Sequence, residues 1–454
     1  MGSRPGSGDE ASGFSLPSHD EHCYSVEQSA EKIAEHFAAI SQEYRPLDVS
    51  NLPTRVQNKL KSPGSPPQIS EYQTYLQINS TKKPKSGVRG DLPRKITQEF
   101  APELSLPVCR IINSILSTGE WPNQWKLEHI VPIAKIPQPQ SEDDLRPISL
   151  TPFLSKVTEH FIARWLMQYI DEKIDFRQYG GLKGNSVNHY LIELINFILF
   201  SQDSNEQIAV LTCIVDFKKA FNRQSHEILV TKLSDLGVPG WLLLLVIAFL
   251  KNRRMVVNFK GKVSTEKLLP GGGPQGTIIA LILFLVLIND LGFDDQMNNA
   301  GEVITKVKRT NAQGKIHLKY VDDFSLAETI NLKKHLVNDQ SGQGHVLPAS
   351  NSQVYLQLLE TKRYAETNLM KLNYDKTSLM LFNPCKSIDF QPEFIIDGHQ
   401  LELLTETRIL GLIIRSDLKW SSKTKNIIKK AYNRLWLIKR LKNLGAKRSV
   451  LVHI

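Results

Sequence analysis

The sequence predicts an α+β fold in which an antiparallel sheet is backed by helices. Three observations carry this. Residues 208–216 form an apolar run ending in VLTCIVDF, short enough for one buried strand. Tyr320-Val321-Asp322-Asp323 sits between two short alternating runs, Ile316-His317-Leu318-Lys319 and Phe324-Ser325-Leu326. That pattern reads as a tight β-hairpin with two acids at its turn. Helical patterns separate these strands along the chain, as a sheet with helices packed on one face requires.

The elements follow in order. Residues 1–24 lack any core-forming pattern and read as disordered. A short amphipathic helix comes next, capped by Ser25 with Gln28 as capping-box partner and striped by Val26, Ile33, Phe37 and Ile40. Residues 45–67 are Pro-rich and linker-like. Continuous structure begins near residue 87. A helix over 99–118 ends at Gly119, and Ile130-Val131-Pro132-Ile133 is strand-like. Helices are expected over 152–172 and 186–200, the second capped by Asn185. After the 208–216 strand, a helix near 225–236 closes at Gly237, and an apolar helix follows Pro239. Strands over 255–260 and 266–269 precede a Gly-rich turn, and a buried helix covers 278–289. Polar insertions occupy 292–314 and 336–353 on either side of the hairpin. A helix over 354–371, a turn and strand over 373–382, a strand over 408–414 and a basic helical remainder complete the chain.

The formal net charge of +10 and a pI near 9.2 favour a polyanionic partner. From Lys419 to Ile454 there are eleven Lys and Arg and no Asp or Glu, so this tail accounts for the whole excess. Leu435, Leu437, Ile438, Leu441 and Leu444 give it an apolar face. A basic amphipathic helix alone equally fits a solvated face or membrane-surface contact. Cys23, Cys109, Cys213 and Cys385 are scattered, with no zinc-ligand spacing, and read as reduced thiols. The longest apolar runs, 241–250 and 278–288, fall short of the roughly 20 residues that span a bilayer.

Paired carboxylates on a rigid turn suit divalent cations, which want hard oxygen ligands. Asp322-Asp323 alone is commonly a solvated turn pair. Asp216, where the buried strand emerges, alone reads equally as a helix N-cap or turn residue. The flanking blocks change this. Asp216-Phe217-Lys218-Lys219-Ala220-Phe221 places an aromatic at a fixed distance after the acid. Gly271-Gly272-Gly273-Pro274-Gln275-Gly276-Thr277 precedes an apolar helix and Ile288-Asn289-Asp290. Trp125-Lys126, Lys135 and the run Leu145-Arg146-Pro147-Ile148-Ser149-Leu150 form a third block. The segment from Gln178-Tyr179-Gly180-Gly181 to Ser186, the run Leu372-Asn373-Tyr374-Asp375-Lys376-Thr377, and Leu410-Gly411-Leu412 followed by Trp420 complete the set.

Over roughly residues 87–445 these blocks resemble, in order, the reverse transcriptases, and most closely those of LINE-type (non-LTR) retrotransposons. The resemblance implies a right-hand polymerase fold. Residues 25–86 are then an N-terminal helical extension and linker, 87–207 fingers, 208–417 palm and 418–454 the start of a thumb. It implies RNA-directed DNA polymerase activity with an RNA template, a DNA primer, dNTPs and two Mg²⁺ ions, Mn²⁺ being a substitute. Asp216, Asp322, Asp323 and the Phe217 carbonyl would hold metal. Lys135 and Arg146 would neutralise the triphosphate. Amides near Lys219 and Ala220 would cradle it, Gln275 would lie near nucleotide and template, and Lys376 would bind nucleotide and protonate the leaving pyrophosphate. Phe221 would exclude a 2′-hydroxyl, although core packing explains it equally well. Lys183 and Gly184 would face the template, Leu410-Gly411 the primer, and Lys429, Lys430 and Arg434 a duplex backbone.

The chain departs from the pattern at three places. Asn222 follows the gate where LINE-type elements usually carry Asp, Ile279-Ala280 replaces Gly-Pro, and Leu182 replaces Phe. These departures keep open a decayed or truncated remnant that only binds nucleic acid; shared blocks keep open a group II intron-type enzyme, and overlapping palm motifs an RNA-directed RNA polymerase. The endonuclease and C-terminal segments usual in the family are expected elsewhere. The resemblance implies an intracellular protein of nucleus and cytoplasm, with no membrane partner.

Overall fold

The computed structural model describes residues 24–81, 88, 91–203, 207–292, 314–338, 345–385, 388 and 390–451. The disordered segment expected over 1–24 and most of the insertion over 292–314 lie outside them. The chain divides into two compact units, each assembled from separated stretches. The first comprises Met1–Phe176, Lys218–Gly292 and Tyr364–Lys371; the second comprises Arg177–Phe217, Phe293–Arg363 and Leu372–Ile454.

The first unit holds a mixed sheet. Strand Leu127–Ala134 pairs antiparallel with Leu145–Leu150 and parallel with Arg253–Phe259. Lys267–Leu269 and Lys262–Val263 extend it from Arg253–Phe259. The helix Val26–Ser41 covers this sheet because its stripe is apolar: Ala30, Ile33, Ala34 and Phe37 pack with Ile130, Leu145, Met255, Val257 and Phe259. Its capping box is the one the sequence predicts, Ser25 with Gln28. Helix Ile278–Leu287 is apolar on every side and buried nearly throughout. Beneath the sheet, Arg253 donates to Glu128 at 2.8 Å, and Ser149 donates to the same carboxylate at 2.7 Å. Both charges are almost fully buried, so removing either would strand the other in low dielectric.

The second unit is organised by an antiparallel core of three long strands. Ile208–Val215 lies between Asp323–Asn331 and Ser378–Phe382, with Lys315–Tyr320 outside the former and Glu402–Leu403 parallel to the latter. The central strand is buried on both faces, which is why its sequence is continuously apolar rather than alternating. Tyr190, Leu194, Phe197 and Ile198 of helix Val187–Gln202 close one face over Val210, Leu318, Ala327, Met380 and Phe382.

Three expectations are corrected. The Pro-rich stretch contains helix Thr54–Lys61, held by Val56 at 0% exposure. The cap before residue 187 is Ser186, whose hydroxyl accepts from the His189 amide; Asn185 instead donates its side-chain amide to the Gln178 carbonyl. The strand expected over 408–414 is a hairpin, Glu406–Ile409 with Leu412–Arg415, because Leu410 and Gly411 both adopt positive φ. Within the polar insertion over 336–353, strands Val337–Asn338 and His345–Leu347 pair with each other, the latter also with Phe390–Pro392.

Candidate active site

Strand register brings the three predicted carboxylates together in the second unit. Val215 pairs with Phe324, so Asp216 leaves its strand at the end where Asp323 enters the neighbouring one. Tyr320 pairs with Asp323, which leaves Val321-Asp322 as a two-residue turn. Val321 takes φ +56°, a conformation that costs a β-branched residue and persists only when neighbours enforce it. The neighbours are in the Gln178-Tyr179-Gly180 block. Gln178 Oε1 accepts from the amides of both Val321 (3.0 Å) and Gly180 (2.8 Å). Tyr179 donates its amide to the Lys319 carbonyl at 2.8 Å. A Cβ on Gly180 would sit 2.7 Å from the Val321 nitrogen, so only glycine fits.

Asp216 is fixed by the 372–377 loop. Asn373 Nδ2 donates to Asp216 Oδ2 at 2.8 Å, the Asn373 amide donates to the Asp216 carbonyl at 2.8 Å, and the Asp216 amide donates to Thr377 Oγ1 at 3.3 Å. Phe217 bridges to Leu372. The sequence singled out Lys376 in this loop; Asn373 and Thr377, which hold the acid, went unassigned. The motif was legible, but its target lies 157 positions upstream.

The site is electrostatically tense. Desolvation, then the charges of Asp322 and Asp216, push the Asp323 carboxyl up to about 6. Among the described residues no three His, Cys, Asp or Glu side chains converge as a finished metal cage. The donor set nevertheless suits a hard divalent cation: the charges of Asp322 and Asp216 both act on Asp323, and no Lys or Arg is among the causes of its shift.

The other predicted residues are distributed as follows. In the second unit, Lys376, Lys183 and Gly184 are exposed, and Leu410-Gly411 forms the hairpin turn, whose Gly411 carbonyl accepts from Lys423. Lys429, Lys430 and Arg434 project from helix Ser421–Asn443, which has no buried residue. In the first unit, Lys219 takes φ +50° and opens the short turn Ala220–Asn222. Phe221 stacks on Phe284 with centroids 4.8 Å apart, and its carbonyl accepts from the Gly273 amide. The Gln275 carbonyl accepts from the Ser149 amide, tying the glycine turn to the 145–150 strand. Lys135 and Arg146 are exposed at adjacent strand ends. The glycine turn is further held by Ser41, which donates to the Gly271 carbonyl (2.6 Å) and accepts from its amide (3.0 Å). That contact was outside the reach of the motifs. Among the described residues no helix is long and apolar enough to cross a membrane.

A buried strand delivers one carboxylate beside a hairpin that carries two, and the chain belongs to a family of polymerising enzymes. Residues 136–414 match the model of the reverse transcriptase (RNA-dependent DNA polymerase) family. The chain is 26% identical over 361 residues to a probable RNA-directed DNA polymerase from transposon BS of Drosophila melanogaster, covering 77% of this chain and 36% of that one. It is 25% identical over 341 residues to the RNA-directed DNA polymerase from mobile element jockey of the same species, covering 74% and 34%. It thus spans about a third of the length of these curated relatives. A solved telomerase from Candida tropicalis matches at TM-score 0.41 and 12% identity over 69% of this chain and 49% of that one, a likeness too distant to speak for chemistry. The resemblance to LINE-type reverse transcriptases read from the motifs stands with these matches.

Proposed function

We propose that this chain is an RNA-directed DNA polymerase of a LINE-type retrotransposon, extending a DNA primer on an RNA template. The observation that carries the reading is the trio Asp216, Asp322 and Asp323 at the ends of paired strands, close enough for two of them to raise the third. Residues 87–207 serve as fingers, 208–417 as palm and 418–454 as the start of a thumb. Asp216, Asp322, Asp323 and the Phe217 carbonyl hold two Mg²⁺ ions, which supply activation of the primer hydroxyl and charge neutralisation at the triphosphate. Asn373 and Thr377 orient Asp216, and Gln178 orients the turn. Lys135, Arg146 and the amides at Lys219 and Ala220 bind the triphosphate; Gln275 meets the nucleotide; Lys376 stands as proton donor to pyrophosphate. Phe221, immobilised by stacking on Phe284, selects deoxynucleotides. Lys183, Gly184, Leu410 and Gly411 contact template and primer, and Lys429, Lys430 and Arg434 follow the duplex backbone. Asn222, in place of the usual Asp, donates its backbone amide to the Lys219 carbonyl, a bond that does not depend on its side chain.

The test is Mg²⁺-dependent dNTP incorporation on an RNA template with an annealed DNA primer. Asp322→Ala/Asp323→Ala should lower extension at least about 10³-fold while leaving template–primer binding within about twofold. Equal loss of binding and extension would return the acids to a structural role. Absence of extension in the parent chain, with binding intact, would favour the remnant reading.

A further inference from the structure

The acidic turn Glu142–Asp144 joins the strands Leu127–Ala134 and Leu145–Leu150, and one of its residues gathers both lysines that the proposed function assigns to the neighbourhood of the triphosphate. Lys219 Nζ lies 2.7 Å from Asp143 Oδ1. Lys135 Nζ donates to the Asp143 carbonyl at 2.6 Å, and the Lys135 amide donates to the Asp144 carbonyl at 2.7 Å. His36, from helix Val26–Ser41, places Nε2 2.9 Å from Lys219 Nζ and 3.3 Å from Asp143 Oδ1. Burial and the adjacent Lys219 charge hold His36 below its usual range, so near neutral pH it is an uncharged acceptor that steadies the ammonium. Two independent features mark this as more than a surface ion pair. Lys219 sits in the left-handed region at φ +50°, the kind of backbone strain that concentrates at ligand-binding segments. The two lysines also come from separate parts of the chain, yet meet on one carboxylate-bearing residue whose side chain is 65% exposed. A solvent-borne anion can therefore reach the position without unfolding anything.

We infer that Asp143 is an internal stand-in for phosphate: its carboxylate occupies Lys219 in the free protein, and an oxygen of an incoming polyphosphate displaces it. The inference rests on the proposed role of this segment, and it adds two residues, Asp143 as competitor and His36 as the group that keeps Lys219 aimed. No bond is made or broken; one anion replaces another on the same ammonium. The exchange favours ligands carrying several negative charges, such as a nucleoside triphosphate, over singly charged ones.

The probe is inorganic tripolyphosphate, titrated calorimetrically into the full chain without Mg²⁺ or nucleic acid. Asp143→Asn should tighten binding about threefold to tenfold, as loss of one competing charge at contact distance predicts. Glu142→Gln removes the same charge from the next residue, which pairs with Lys32 instead, and should change binding less than about twofold. In a Lys219→Met background the gain from Asp143→Asn should vanish. No tightening in Asp143→Asn, an equal gain from Glu142→Gln, or a gain that survives Lys219→Met would each overturn the inference. Because tripolyphosphate binding needs no catalysis, a parent chain that binds as expected yet extends no primer would count against the polymerase reading while supporting this one.

Discussion

Asp216 owes its pose to Asn373, and this sets the most specific expectation at the scale of single residues. A carboxylate free to rotate must be ordered again each time a cation binds, so losing its hydrogen-bond donor weakens metal affinity more than it weakens the fold. Asn373→Ala should raise the Mg²⁺ concentration for half-maximal extension about 10-fold to 100-fold and change the melting temperature little. Asp323 supplies a pH-dependent counterpart. Its folded carboxyl titrates at about 6 against about 3.9 in an unfolded chain. The native state therefore holds this proton more tightly. The stabilisation is complete below about pH 4, is lost as pH rises to about 6 and stays lost above. In metal-free buffer, Asp323→Asn should raise the melting temperature over the parent at pH 8, and the gain should disappear near pH 4. Added Mg²⁺ should shrink the pH 8 difference by stabilising only the parent. A gain of equal size at both pH values would mean that repulsion among the acids is not its source. What the sequence offered at this scale was the identity of the acids. The partners that hold them, Gln178, Asn373 and Thr377, were visible only as members of motifs, because hydrogen bonds between distant segments leave no local pattern.

At the scale of elements, local chemistry was legible wherever it was local. The Ser25–Gln28 capping box, the stop at Gly119 and the apolar stripe of the first helix read directly from side-chain types at fixed offsets. The misreadings have physical causes. Ser186 and Asn185 are both good caps, and a tertiary hydrogen bond to the Gln178 carbonyl drew Asn185 away. Leu410 takes a positive φ that leucine rarely adopts, so the local pattern ran on as one strand through the turn that the family resemblance put at Leu410-Gly411-Leu412. The segment from Val26 to Tyr44 shows how much such an element can do. Its face seals one side of the sheet through Ile33 and Phe37. Ser41 then holds Gly271, Glu43 accepts from both terminal guanidinium nitrogens of Arg223 at 2.8 Å, and Tyr44 donates to the Leu369 carbonyl. These two jobs separate by mutation. Ile33→Ala, at a site with 0% exposure, should cost about 2–4 kcal/mol in chemical denaturation. Ser41→Ala should cost only about 1 kcal/mol but raise KM for dNTP, since it loosens the glycine turn that carries Gln275. Matching stability losses with unchanged KM would reduce this segment to a packing element.

For the whole molecule, charge distribution is the feature that sequence conveyed best and contacts convey least. The excess of +10 sits in the last 36 residues, and helix Ser421–Asn443 carries eight of their eleven Lys and Arg with no buried residue and no acid. With no buried residue, this 23-residue helix gains little from the tertiary packing of an apolar face that supplies most helical stability in proteins. Ile427, Ile428, Leu435 and Trp436 of the same helix are exposed as well. Displacement of counterions from a duplex gives a signature that no protein–protein contact mimics: log affinity falls linearly with log salt, by about 0.9 per phosphate neutralised. Replacing Lys429, Lys430 and Arg434 together by Ala should therefore weaken primer–template binding at low salt and flatten that slope by about 2 to 3 units. It should leave kcat at saturating nucleic acid nearly unchanged, because none of the three belongs to the carboxylate site. The measurement is binding to an RNA–DNA duplex over a series of KCl concentrations, parent against triple variant. An unchanged slope would place the duplex on other cations and leave this helix, apolar residues included, without a role in holding it.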